Sequence, residues 1–308
     1  MHAFYCDHFV LPLPEGHRFP MEKYRMLRQR IEDDPRISLD VPEPATSVAL
    51  RRVHTREYLE RVMEGRLHRD QVRRIGFPWS AELVERSRRS VGGTVAAARA
   101  ALVDGVAANL AGGTHHAYSD RGEGFCVFND VAVAVRELQA VEAVRRCAVV
   151  DLDVHQGNGT AVIFQDDPEV LTVSVHGADN YPFVKESGDV DLPLPDGAGD
   201  DAFLEAVATA VDAAQAHDPE IVFFVAGADV YADDRLGRLA VTKDGARARD
   251  RLVLDAFEED DVPVAVVMSG GYARDVRDTV EIHATTVTAA ADSVARRRSR
   301  PGLPQAAS

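Results

Sequence analysis

Residues 147–155 read CAVVDLDVH, and this stretch decides the fold. An apolar run leads into alternating acidic residues and ends on a histidine. Unbroken apolar character suits a strand buried on both faces. Alternation along an extended chain then places Asp151, Asp153 and His155 on one side. Three further runs share the form: VLTVSV (170–175), IVFFVAG (221–227) and VPVAVVMS (262–269). Stretches with helical spacing cover 81–105, 129–144, 200–217 and 242–259, the last two opening after the N-cap candidates Gly199 or Asp200 and Thr242. This alternation predicts an α/β fold, a parallel sheet with helices on both faces. In such sheets ligands gather beyond the carboxyl ends of the strands.

With 308 residues, 45% of them hydrophobic, the chain can bury a large core. Neither a linker nor a repeat is visible, so the reading is one catalytic domain over 1–295 and a flexible tail over 296–308. The net charge of −15 argues against binding nucleic acid through bulk electrostatics and suits a cationic ligand, acetylated basic molecules included. Lys23, Lys185 and Lys243 are the only lysines, so arginine supplies the other basic residues. A GC-rich genome explains that bias better than an acidic surface adapted to salt. Three separated cysteines with no CxxC give no disulfide framework. The start has no signal-peptide pattern and no apolar run reaches membrane-spanning length. A cytoplasmic chain with no membrane or nucleic-acid partner is expected, its oligomeric state open.

The chemistry sits where the apolar runs stop. Two carboxylates and an imidazole at a sheet edge are costly unless something pairs with them. A metal cation is one solution; a polar cluster of ion pairs is the bland one, and DLDVH alone leaves them about even. Asp229, in AGAD after another buried run, completes an Asp, His, Asp set with an open position, the pattern of a catalytic metal site. Alone it would read as a loop turn. His115-His116 follows LAGGT; bare, the pair reads as surface histidines, but beside a metal they can serve as general base and acid. Tyr272, after Ser269-Gly270-Gly271, can donate to a developing oxyanion or simply satisfy its hydroxyl locally. Their common placement at strand ends links these individually weak signals.

At this point the sequence resembles the histone deacetylase superfamily. The matching strings are GGTHHAYSDRGEGFCVFNDVAVA (112–134), VVDLDVHQGNGT (149–160), LTVSVHG (171–177), AGADVYADDRLGRLAVT (226–242) and MSGGY (268–272), with a weaker VHTREYL (53–59) upstream. The resemblance covers about residues 1–290. It implies an arginase/deacetylase-like three-layer α/β/α fold around a mostly parallel sheet of about eight strands. It implies Zn²⁺ on Asp153, His155 and Asp229, a dyad of His115 and His116, and Tyr272 polarising the scissile carbonyl. Gly124, Phe125 and Tyr181 would wall an acyl-lysine channel, with Gly270 near the substrate. Asp151 would hydrogen-bond His115 and share a structural K⁺ with Ser174, Val175 and the backbone of Asp153 and His155. Phe164 and Val170 match a second monovalent-cation site.

Two departures move the chain from class I towards class IV and bacterial histone-deacetylase-like amidohydrolases. Asn158 stands where class I pairs its second dyad histidine with Asp, so His116 should be the weaker base of the two. The glycine run before Tyr272 is shorter, with Ser269 first. The implied activity is removal of an acyl group, acetyl or longer, from an acylated lysine or small amine. The alternatives are an Mn²⁺ ureohydrolase, disfavoured because no second DxHxD string is present, and a catalytically silent acyl-amine binding protein. Cys126 reads as a small buried hydrophobe before a redox thiol. Trp79 reads as packing as readily as an approach-loop residue. Specificity is assigned to rim loops around 13–30, 66–80 and 178–188.

Overall fold

The computed structural model describes residues 1–300. The first half runs β1 (His2–Phe4), α1 (Glu22–Ile31), β2 (Ser38–Asp40), α2 (Ser47–Arg51), α3 (Arg56–Met63), α4 (Arg69–Ile75), α5 (Ala81–Asp104), β3 (Val106–Asn109) and α6 (Asp130–Ala140). There follow β4 (Cys147–Asp151), α7 (Asn158–Phe164), β5 (Val170–Gly177), β6 (Val190–Leu194), α8 (Asp200–Ala216), β7 (Ile221–Ala226), α9 (Lys243–Glu259), β8 (Val264–Met268) and α10 (Val276–Ser299). The strands form one sheet in the order β2-β1-β3-β8-β7-β4-β5-β6, every pair parallel.

The period-two geometry of a strand explains the unbroken apolar runs. Val150, Val222, Phe224 and Val266 join the core beneath α8, α9 and α10. Their neighbours Val149, Phe223, Val225 and Val267 join the core beneath α5 and α6. Both faces of the sheet are therefore dry, and every position in β4, β7 and β8 is buried. The expected three-layer fold is what the chain adopts.

Strand order also places the site. From β4 the chain builds outwards through β5 and β6, then returns so that β7 pairs with the other edge of β4. The loops leaving β4 and β7 run to opposite faces, since Phe164 of α7 joins one core and Val253 of α9 the other. Divergent loops open a crevice at the strand ends, and DLDVH lies there. Register does the rest: Asp151 pairs with Ser174 and Val225, and Ala226 with Met268, so the polar strand ends meet at one level.

Several boundaries differ from the sequence reading. α6 stops at Ala140, because Glu142 takes a left-handed φ of 54° that a helix cannot continue through. α10 was not expected: it is rich in Thr and Val, which lower helix propensity, and it forms because it is buried against α1 and α9. It also corrects the tail. Residues 296–299 are helical, with Arg296 held by Glu258 and Asp255 and Arg297 donating to the Phe257 and Val262 carbonyls. Residues 301–308 lie outside the described part. Among the described residues, no helix is long and apolar enough to cross a membrane.

Candidate active site

The floor of the crevice holds Asp153 and His155 after β4 and Asp229 after β7. All are buried, and one ligand-type atom from each lies within 4.8 Å of the others. His155 Nδ1 is 3.0 Å from Asp153 Oδ1 and 3.2 Å from Asp229 Oδ2. Asp229 Oδ2 is buried and has no aligned hydrogen bond. Burial, then the charge of Asp153, pushes Asp229 up to about 6. Burial pulls His155 down, but its bond to Asp153 and the nearby Asp229 carboxylate outweigh it and carry the ring up to about 10. Two carboxylates this close call for a positive charge between them, and a divalent cation fits the donor set. Gly270 completes the cradle: its N–H donates to Asp153 Oδ2 at 2.8 Å, and a side chain there would collide with the Asp229 carboxylate. Among the described residues this is the one group of three or more His, Cys, Asp or Glu so arranged.

The histidines stand beside this floor with ring centroids 4.1 Å apart. Both point inwards because Asp130, at the start of α6, gathers their loop. Its carboxylate accepts from the Gly113 N–H (3.0 Å), the Thr114 N–H (2.7 Å) and the Thr114 hydroxyl (2.6 Å). His115 Nδ1 meets Asp151 Oδ2 at 2.5 Å. Burial opposes the charge on His115, but Asp151 and then Asp153 win, carrying it up to about 9. His116 Nδ1 donates to Asn158 Oδ1 at 2.6 Å. Burial, then the charges of His115 and His155, holds His116 well below the ordinary range, and its bond to Asn158 does not compensate.

Tyr272 lines the same cavity as Asp229. Its N–H donates to Asp234 Oδ2 at 2.6 Å. The turn before it is tied by Lys23, a buried cation that donates to the Ser269 and Gly271 carbonyls at 3.2 and 3.4 Å and lies 5.3 Å from the Tyr272 ring centroid. The walls are Gly124 and Phe125, both at left-handed φ (56° and 65°), and Tyr181, whose ring meets His116 edge-on at 4.9 Å. The cavity they enclose measures about 700 Å³. Ser174 lies beside Asp151 along a narrow gap, and its hydroxyl pairs with His176 Nδ1 at 3.0 Å. Val175 is buried next to it. Phe164 and Val170 are buried in the sheet-face core, away from the cavity lining.

Cys126 is buried and its thiol is pushed well above the ordinary value by burial, as suits a packing residue. Trp79 stands outside the cavity lining, its indole donating to the Val62 carbonyl at 2.7 Å. The sequence reading missed Asp130, Lys23, Asp234 and Arg249. Arg249 is fully buried on α9 and donates to the Gly227 carbonyl at 2.5 Å, fixing the turn that delivers Asp229. A charged residue on the apolar face of a predicted helix was the available signal.

The family model for the histone deacetylase domain matches residues 17–289. The chain is 44% identical over 292 residues to an uncharacterized protein of Picosynechococcus sp., covering 94% of this chain and 97% of that one. It is 33% identical over 288 residues to a histone deacetylase-like amidohydrolase of Pseudomonas aeruginosa, covering 85% and 74% respectively. The crystal structure of an acetylpolyamine aminohydrolase from Burkholderia pseudomallei superposes with a TM-score of 0.75 at 25% identity, covering 94% of this chain and 98% of that one.

Proposed function

The chain belongs to the histone deacetylase family, and from that premise we propose that it is a zinc-dependent amidohydrolase removing an acyl group from an acylated lysine or a related amine. The observation that carries the reading is the buried Asp153, His155, Asp229 cluster, with its orphaned Asp229 Oδ2, at the floor of a cavity that also holds two histidines and a tyrosine. These three residues would hold Zn²⁺. When bound, the ion supplies Lewis acidity, polarising the amide carbonyl and easing deprotonation of water.

The chain's own residues do the rest. Gly124, Phe125 and Tyr181 give the acyl-amine a narrow apolar passage that excludes bulk water. Asn158 accepts the Nδ1 proton of His116, which leaves Nε2 as the free acceptor for a proton from the attacking water. His115, anchored by Asp151, stands beside the reacting centre to stabilise negative charge as it develops. The Tyr272 hydroxyl donates to the carbonyl oxygen as that oxygen becomes anionic. The dyad then returns a proton to the leaving nitrogen, and the C–N bond breaks to give a carboxylate and a free amine. A structural K⁺ beside Asp151, Ser174 and Val175 would hold the strand ends behind His115.

Purified protein should carry about one zinc per chain by elemental analysis and hydrolyse an acetyl-lysine peptide. Chelation should remove metal and activity together, and added Zn²⁺ should restore both. Hydrolysis that persists after the metal has been stripped would overturn the reading.

A further inference from the structure

The bulk charge of −15 suggests a cationic substrate. The cavity mouth carries the opposite sign. Apart from the cluster carboxylates Asp153 and Asp229, the cavity is lined by one acidic residue, Asp179, against four arginines: Arg18, Arg73, Arg74 and Arg238. All four are exposed. Arg73 pairs with Asp70, and Arg238 with Asp196 at 3.3 Å. Among the described residues Arg18 and Arg74 have no carboxylate partner within ion-pair distance. Two free cations therefore stand at the entrance of an acidic molecule.

Their placement is built. The N–H groups of Gly124 and Phe125 donate to the Arg74 and Ile75 carbonyls at 3.1 and 2.8 Å, so the end of α4 is laced to the channel wall. His17 Nε2 donates to the Gly76 carbonyl at 2.9 Å and its Nδ1 accepts from the Phe19 N–H at 3.2 Å, which ties the Arg18 loop to the same wall. Opposite, the Arg238 N–H donates to Asn180 Oδ1 at 3.3 Å, beside Tyr181. Arginine is thus fastened to both walls of the passage. At physiological salt the screening length is about 8 Å, so these local charges, not the distant net charge, set the potential a substrate meets at the mouth.

We propose that the physiological substrate is an acylated amine whose amine half carries carboxylates close to the amide, such as an acyl-lysine flanked by Asp or Glu. This rests on the amidohydrolase reading and goes beyond it by excluding acylated polyamines and basic tails as preferred substrates.

The test uses the full chain loaded with Zn²⁺ and three acetyl-lysine peptides of equal length, flanked by Glu, by Gln or by Arg, with an N-acetylpolyamine as a fourth substrate. The expected order in kcat/KM is Glu over Gln over Arg and polyamine. The Glu-to-Gln ratio should be about five- to tenfold at low salt, shrinking as salt rises. R18Q/R74Q should bring that ratio close to one. Equal rates, or faster hydrolysis of the Arg peptide or polyamine, overturn the substrate inference while the amidohydrolase reading stands. Failure to hydrolyse any of the four overturns both.

Discussion

Asn158 is neutral, yet its surroundings are not. Its Nδ2 donates to Glu123 Oε1 and to the Tyr118 hydroxyl, each at 2.9 Å, and Tyr118 donates on to Glu186 Oε1 at 2.9 Å. The carboxylate missing beside His116 is displaced outwards by one residue. A carboxylate behind an amide polarises it more weakly than direct contact would, consistent with the low proton affinity of His116. The assignment of Tyr272 can be separated from such effects. Tyr272→Phe should lower turnover about 10²- to 10³-fold and leave the zinc content unchanged; near-normal turnover would remove Tyr272 from its assigned role. At this scale the sequence was most informative where the candidate site coincides with a strand end: Asp153, His155, Asp229 and Tyr272 could be placed from the apolar runs before them. Glu123 could not, because its partner lies 35 positions away and nothing local in GEGF announces the contact.

Among the elements, α9 matters most to the floor. Arg249 and Asp250 form a fully buried pair, Arg249 Nη2 to Asp250 Oδ1 at 2.8 Å, and the Thr286 hydroxyl of α10 donates to Asp250 Oδ2 at 2.7 Å. Removing one partner of a buried pair leaves an uncompensated charge. Arg249→Met should therefore destabilise the fold by about 3–5 kcal/mol in urea unfolding, with part of the loss recovered in R249M/D250N. A single variant as stable as the parent would show that the pair does not hold the Gly227 turn. The central strands and α5, α8 and α9 were legible because their burial patterns are simple. β1, β2 and β6 were not: they are short edge or near-edge strands, and in β6 no residue is fully buried. α10 was missed because tertiary burial, not local propensity, makes it a helix.

For the whole molecule, the buried neutral histidines set an acid limit. His54 Nδ1–H donates to the Tyr118 carbonyl at 3.0 Å and Nε2 accepts from the Asn129 N–H at 3.1 Å. A second ring proton would face that N–H. Burial lowers His54 to about 4, and burial likewise lowers His176 to about 4. A depressed native value means the unfolded chain takes up the proton first. Stability from these groups is thus complete above the ordinary value near 6.5 and is lost as pH falls towards 4, by up to about 3 kcal/mol each. Urea midpoints should fall between pH 6.5 and 4.5, less steeply in H54Q; an unchanged slope in that variant would exclude His54 as a contributor. The parallel sheet and the crevice at its strand ends were readable from alternation alone. The charge at the mouth was not, because net composition says nothing of where surface arginines stand.

The lacing of the α4 end onto Gly124 and Phe125, and of the His17 loop onto Gly76, separates the molecule into two mechanical tiers. The floor belongs to the sheet: a residue inserted in β4 or β7 would shift every side chain beyond it. The mouth is held outside the sheet, by a few hydrogen bonds and by packing of the His17, Phe19, Phe77 and Phe125 rings, between segments centred near residues 17, 75 and 125. Lengthening or recharging those segments leaves strand register untouched. Descendants of this chain can therefore drift in what they admit while keeping the same chemistry, and divergence among its relatives should concentrate near residues 17 and 75 rather than in the family-matching stretch around 125.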